Sequence, residues 1–263
     1  MTDGTNLRAL RSNSPDDDGV ETLASRVLYV MASRVTNSIE RIDRAVARKL
    51  ANAVLKPDSG NPAKLVEILT SAGISETDIT DLYVPYVARN FGEMWEQDEV
   101  QFTAVTMAVA RLQGILREVN CAWANQVNHS ILAPTVLMIV PEGEAHTLGA
   151  LVATGQLRRA GASVQLCVGE APAIAMGMIE RNDYDLVMIS TGRTDRFEPL
   201  RRLIQNIRYS MHSPVPIVVG GPVVGLEDDL ISLTKADMVT DRPTEALRLC
   251  LKQESDVGDK KRA

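Results

Sequence analysis

Aromatic residues are scarce in this 263-residue chain, where phenylalanine, tryptophan and tyrosine make up only 4%. A surface that stacks the successive bases of a single strand needs several such rings, so the scarcity argues against one. Cysteine is scarcer still. Cys121, Cys167 and Cys250 are odd in number, far apart and without a CxxC pair, which argues against a disulfide framework or a cysteine zinc site. No apolar run reaches the roughly 18 residues of a membrane span. The opening MTDGTNLRALRSNSPDDDG has no apolar signal core, so export is not expected. These absences point to a reduced, cytoplasmic protein with no membrane attachment. Positive charge is not in excess either. With 28 basic and 34 acidic residues the net charge is −6, and direct DNA binding through bulk attraction is not expected.

What is present suffices for a folded core, since 45% of the residues are hydrophobic. Residues 1–19 and 254–263 are polar and read as a disordered lead and tail. Between them the chain has two rhythms. Residues 20–128 follow helical spacing. A long amphipathic segment over about 21–55, broken near Thr36–Asn37, carries Val27, Val35, Val46 and Leu50 along one side. A short helix from Pro62 to Gly73 follows, then a third capped by Ser75 and running to about Trp95. Pro85 should kink that third helix. A fourth covers about 99–126, and four helices on short connections predict a small bundle.

From about 133 to 253 short apolar runs alternate with helical patterns. TVLMIV (135–140), SVQLCVG (163–169), DLVMIST (185–191), PIVVGG (216–221) and DMVTD (237–241) are the runs. The helices fall over 147–160, 172–182, 198–211, 226–235 and 244–252. This predicts an α/β domain with a five-stranded parallel sheet covered on both faces, in the flavodoxin-like order 2-1-3-4-5. The domain boundary falls near His129–Pro134.

Ligands of such sheets bind beyond the carboxyl ends of the strands. The candidate loops are PEGEAHTLG, GEAP, STGRTDR and GGPVVG, after strands 1 to 4. There is no GxxxxGK[ST] and no GxGxxG between a strand and a helix, so a P-loop and a dinucleotide fingerprint are both excluded. A phosphorylated receiver would need an acidic residue closing strand 3 and a lysine near the end of strand 5. This chain has Ser190-Thr191 and Asp241-Arg242-Pro243 there. His146, one of three histidines, follows strand 1 with Glu144 two residues before it and Gly149 three after. A neutral imidazole is a good transition-metal ligand, and a nearby carboxylate can fix its tautomer. Gly149 would let a bulky group approach the backbone. Ser190, Thr191, Gly192, Gly220 and Gly221 are small residues at two neighbouring strand mouths and would leave a slot beside the sheet.

Glu144-x-His146-x-x-Gly149 (with Thr147 inside it), followed by Ser190 and Gly220-Gly221, resembles the cobalamin-binding domain, whose pattern is Asp-x-His-x-x-Gly, then serine, then Gly-Gly. The resemblance implies that His146 is the lower axial ligand of cobalt and that the displaced nucleotide tail enters the slot. In that family a helical bundle caps the upper corrin face, which implies a covering role for Trp95. The photoreceptor members carry Trp-x9-Glu-His in the bundle, whereas Trp95 is followed at that spacing by Val105-Thr106. The segments GEMWEQDEVQF, VTMAVARLQG, PEGEAHTLG and VVGGPVVG are similar to the AerR/PpaA group of photosynthesis-gene antirepressors.

That similarity implies a non-enzymatic, light-responsive regulator that binds cobalamin, in the hydroxo or another form, and acts through a partner transcriptional repressor. Two alternatives share the architecture. One is a corrinoid carrier of a methyltransferase system; the other is a sensor holding haem through the same histidine. Arg193, Arg196, Arg201, Arg202 and Arg208 read as a solvated helix face, because Asp195 and Glu198 are interleaved. His129 and His212 read as surface residues rather than upper ligands.

Overall fold

The computed structural model describes residues 41–56, 61–126, 133–192, 197–211, 213–225 and 229–250. The expected lead and tail, the break near Thr36–Asn37, most of the interdomain connection, and His129, His212, Arg193 and Arg196 lie outside these residues.

The helical half begins with α1 (Arg44–Leu55), which Asp43 caps by accepting from the backbone N–H groups of Ala45 and Val46. α2 (Pro62–Ser71) follows, with Asn61 as its cap and proline in the first turn. The third helical segment starts at Ser75, whose hydroxyl accepts from the N–H of Asp78. It runs through α3 (Glu76–Asp78), a π-helical turn (Ile79–Tyr83) and α4 (Val84–Glu96). The helix departs from regular geometry just before Pro85, in this widened turn. Pro85 has no N–H to give to the carbonyl four residues back, and its ring would collide with that carbonyl in a regular helix. The chain relaxes the conflict one turn earlier, where the Val84 N–H reaches the Ile79 carbonyl five residues back. α5 (Phe102–Gln126) closes the bundle around Val54, Ile79, Val87, Phe91, Leu112 and Leu116, all fully or almost fully buried.

The sheet has the order β2-β1-β3-β4-β5, all parallel, as the sequence predicts. Its strands are β1 (Thr135–Val140), β2 (Ser163–Val168), β3 (Leu186–Ser190), β4 (Ile217–Gly220) and β5 (Met238–Val239). Alternate residues serve opposite faces. Leu137, Ile139, Val187, Ile189 and Val219 enter one core cluster, and Val136, Met138, Val140, Met188 and Val218 the other. α7 (Pro172–Arg181), α8 (Phe197–Ser210) and α9 (Leu230–Thr234) follow β2, β3 and β4, and residues 243–250 are helical.

β5 is shorter than the expected 237–241. It pairs on one side only, with β4, and the chain turns after Thr240 into the final helix. On α8, Arg202 pairs with Glu198 and Arg208 with Asp237 at solvated positions, whereas the Arg201 Nε is buried, so the solvated face does not extend to it.

α6 (Leu148–Arg159), which follows β1, joins the two halves. Its Leu151 is buried in the core of the bundle. Around that apolar contact, the Asn120 amide donates to the Leu151 carbonyl at 2.9 Å and Arg159 pairs with Asp81 at 2.6 Å. No described helix is long and apolar enough to cross a membrane.

Candidate functional site

β1 delivers the chain at Val140 into the loop that carries Glu144 and His146. Gly143 takes a positive φ of 74° there, a conformation that favours glycine. The Glu144 N–H closes the turn onto the Pro141 carbonyl at 3.1 Å. The turn carries the Glu144 side chain inward, where it is buried. Its Oε1 accepts from the His146 backbone N–H at 2.9 Å and faces the His146 Nδ1 at 2.7 Å. Its Oε2 accepts from the Thr191 hydroxyl at 2.9 Å and from the Gly192 N–H at 2.7 Å. Burial by itself raises a carboxylate's pKa. The bonds from His146, Gly192 and Thr191 together outweigh it and hold Glu144 down at about 2. An ionised carboxylate only accepts, so Nδ1 carries a proton, and in the neutral ring Nε2 is then the nitrogen with the lone pair a metal needs.

The glycines fall into two kinds. A Cβ on Gly192 would lie 2.8 Å from His146 Nδ1 and 3.1 Å from its Cγ. A Cβ on Gly220 would lie 2.9 Å from the Thr240 carbonyl oxygen, and one on Gly221, at φ +93°, 2.7 Å from the Thr191 oxygen. These three are small because protein atoms pass close by. Gly149 differs: a Cβ there meets nothing within 4 Å. It borders open space, on the first turn of α6.

That space is a cavity of about 450 Å³ between the two halves. From the sheet domain it is lined by His146, Thr147, Gly149, Ser190, Gly220 and Gly221. The helical half contributes Pro85, Ala88, Arg89, Val109 and Gln113. Seven of the ten residues expected at the site therefore sit in or directly behind this wall, the seventh being Glu144, which holds His146. Thr191 and Gly192 are not in the wall. They clamp Glu144, which in turn holds the histidine. Trp95 is not in the wall either and lies against Phe102, with ring centroids 5.8 Å apart.

The loop after β2, GEAP, adds nothing to the cavity, whereas Thr240, Asp241 and Pro243 after β5 do. The strand order explains both. β2 lies beyond β1, on the far side from the β3, β4 and β5 ends. Arg89 and Gln113 were not singled out from the sequence. The only signals for them are polar positions on helix faces that otherwise face inward. Burial lowers the pKa of Arg89, with Glu93 and Tyr86 acting in the opposite direction.

The donor set suits a metal that arrives within a macrocycle. One imidazole is offered, and no group of three or more histidine, cysteine, aspartate or glutamate side chains that could hold a bare ion occurs among the described residues. The His146 ring and the open space at Gly149 line the same cavity, so the imidazole would hold the metal and the space would admit its ring. These residues fit cobalamin. His146 would hold the cobalt, and Ser190, Gly220 and Gly221 would border the nucleotide tail.

Residues 134–250 match the B12 binding domain family. Fold and site thus define a B12-binding domain behind a helical bundle, and the cofactor is cobalamin rather than haem. An uncharacterised 20.5 kDa protein in the bchF-crtJ intergenic region of Rhodobacter capsulatus is 30% identical over 176 residues. That match spans 67% of this chain and 92% of the relative. The chain belongs to the AerR-type family of cobalamin-binding proteins. Among solved structures, the Methanosarcina barkeri monomethylamine corrinoid protein shares the fold, with a TM-score of 0.61 at 17% identity, over 80% of this chain and 99% of that one.

Proposed function

We propose that this protein is a light-responsive regulator that binds cobalamin and relieves a partner repressor of photosynthesis genes. The observation that carries this reading is the composition of the cavity wall. Ala88, Arg89, Val109 and Gln113 come from the helices, and His146, Gly149 and Ser190 from the sheet domain. A ligand held there touches both halves, and only a difference in contacts between two arrangements can shift their balance. Cobalamin supplies a cobalt centre whose upper ligand can be exchanged or lost on illumination. The chain's own residues do the rest. His146 anchors from the sheet, Glu144 keeps its ring oriented, and the helical wall meets whatever changes above. The Rhodobacter relative is a protein of the bchF-crtJ intergenic region, in line with the antirepressor resemblance of the sequence.

The test is a titration of the cobalamin-loaded protein with the purified repressor, in darkness and after illumination. A change in affinity between the two supports the reading; equal affinities sink it. A second reading, a corrinoid carrier serving a methyltransferase, is favoured by one observation. The corrinoid protein of known structure is matched over 99% of its length, helices included. Methyl transfer to the loaded protein by a methyltransferase would select that reading.

A further inference from the structure

Thr147 stands at the N-cap of α6, where a threonine hydroxyl ordinarily accepts from its own helix. It makes no such cap. Its Oγ1 accepts instead from the Gln113 side-chain amide, at 2.8 Å, across the boundary between the halves. Gln113 lies on α5, lines the cavity and is half-buried. Thr147 is bonded in sequence to His146. Seven residues along α5, Asn120 donates to the Leu151 carbonyl at 2.9 Å, so α5 grips α6 at two points. The Glu144 carboxylate sets the rotation of the imidazole from the sheet side. Nothing on the sheet side among the described contacts holds the Thr147 hydroxyl.

We propose that Gln113 is a positioning residue for the cobalt ligand: from the helical half, its amide holds Thr147 and with it the loop that carries His146. This rests on the assignment of His146 to cobalt. The inference joins the axial ligand to the seating of α5, so a change at the helical wall reaches the cobalt–histidine bond through a protein hydrogen bond as well as through the cofactor. Gln113 needs no contact with cobalt to do this.

The experiment uses the full chain with 15N-labelled histidine, loaded with cobalamin and reduced to the cob(II)alamin form. Cobalamin affinity is measured by absorbance, and electron paramagnetic resonance reads whether the axial nitrogen is the labelled histidine or the cofactor's own base. Gln113→Ala and Thr147→Val should each lower affinity by about 10-fold, at the lower end of outer-residue effects at metal sites. Each should also admit a fraction of the cofactor's base. The double variant should be no worse than either alone, because both remove the same bond. Thr147→Ser, which keeps the hydroxyl, should retain the labelled-nitrogen signal. Full labelled signal and unchanged affinity in Gln113→Ala overturn the proposal, as do strictly additive losses in the double variant. His146→Ala is run alongside. If it too leaves the axial nitrogen and affinity unchanged, the assignment of His146 fails, a result separate from failure at Gln113.

Discussion

The two walls of the cavity are built on different physics. The loop after β1 is a polar clamp: one buried carboxylate takes four hydrogen bonds, one from the very ring it orients. The helical wall is mostly side-chain surface, with Pro85, Ala88 and Val109 beside the two polar groups of Arg89 and Gln113. Directional bonds fix one geometry steeply, whereas apolar contact tolerates small shifts at low cost. The comparison teaches which side can respond. The sheet side is built for one geometry, whereas the mostly apolar helical wall tolerates small shifts.

The largest expected effect breaks the clamp at its centre. His146→Ala should lower cobalamin affinity by more than about 100-fold, beyond the range of outer residues, or leave the cofactor with its own base on cobalt. The visible spectrum and a binding titration distinguish the two, and an unchanged spectrum and affinity would remove the histidine from the site.

Gly149→Leu comes next. A Cβ there meets no other part of the protein within 4 Å, and Gly149 lines the cavity, so a larger side chain is expected to take up ligand space before it strains the fold. Binding should fail while the Tm stays level or rises, since leucine is a better helix former than glycine, by somewhat less than the roughly 0.8–1 kcal/mol that separates glycine from alanine. Gly220→Leu is a poorer probe of the same space, because its Cβ would press on the Thr240 carbonyl at 2.9 Å and disturb the β4–β5 pairing. A Gly149→Leu protein that still binds would show that the ligand lies elsewhere.

Glu144→Gln should cost about 10–100-fold in affinity and should also alter the acid response. The folded-state pKa of Glu144 lies below its ordinary value of 4.5, at about 2. Its contribution to stability is therefore complete above pH 4.5 and is lost as the pH falls from there towards 2. The shift corresponds to roughly 3 kcal/mol. Urea melts across that range should show the decline in the native protein and a flatter curve in the variant. Parallel curves would mean that another carboxylate governs acid unfolding.

The smallest effect is expected at Trp95. Trp95→Ala removes a ring pair with Phe102, worth about 0.5–1.5 kcal/mol, and should leave cobalamin affinity within about 2-fold, a change of only some 0.4 kcal/mol. A loss comparable to that in Glu144→Gln would bring Trp95 into the site and make the helical wall more specific than its composition suggests.

Much of this was legible in the chain. The runs TVLMIV and DLVMIST read as buried strands because both of their faces are covered, which leaves no alternation to obscure them. Glu144 and His146 were legible because their partnership is local, two residues apart in a loop. Thr191 and Gly192 were read as slot residues. Smallness in a sequence does not say whether the space is left for a ligand or for a neighbouring carboxylate and imidazole. Gln113 and Arg89 stayed hidden for a related reason: their place depends on how one half packs against the other, which no spacing within a helix encodes. The weak fifth strand was over-read because DMVTD is apolar enough, while pairing on one side limits how far the ladder runs.

The π-helical turn at Ile79–Tyr83 makes the cavity wall sensitive to chain length. An α-helix advances 100° per residue, so one residue more or fewer in that turn rotates everything after it by more than a quarter of a revolution. Pro85, Ala88 and Arg89 face the cavity only because of the phase this turn imposes. A relative with a single-residue deletion there could keep each wall residue in its sequence and still present a different stripe to the ligand. An insertion or deletion, rather than a substitution, is thus the smallest heritable step by which a protein of this kind could exchange its upper surface whole.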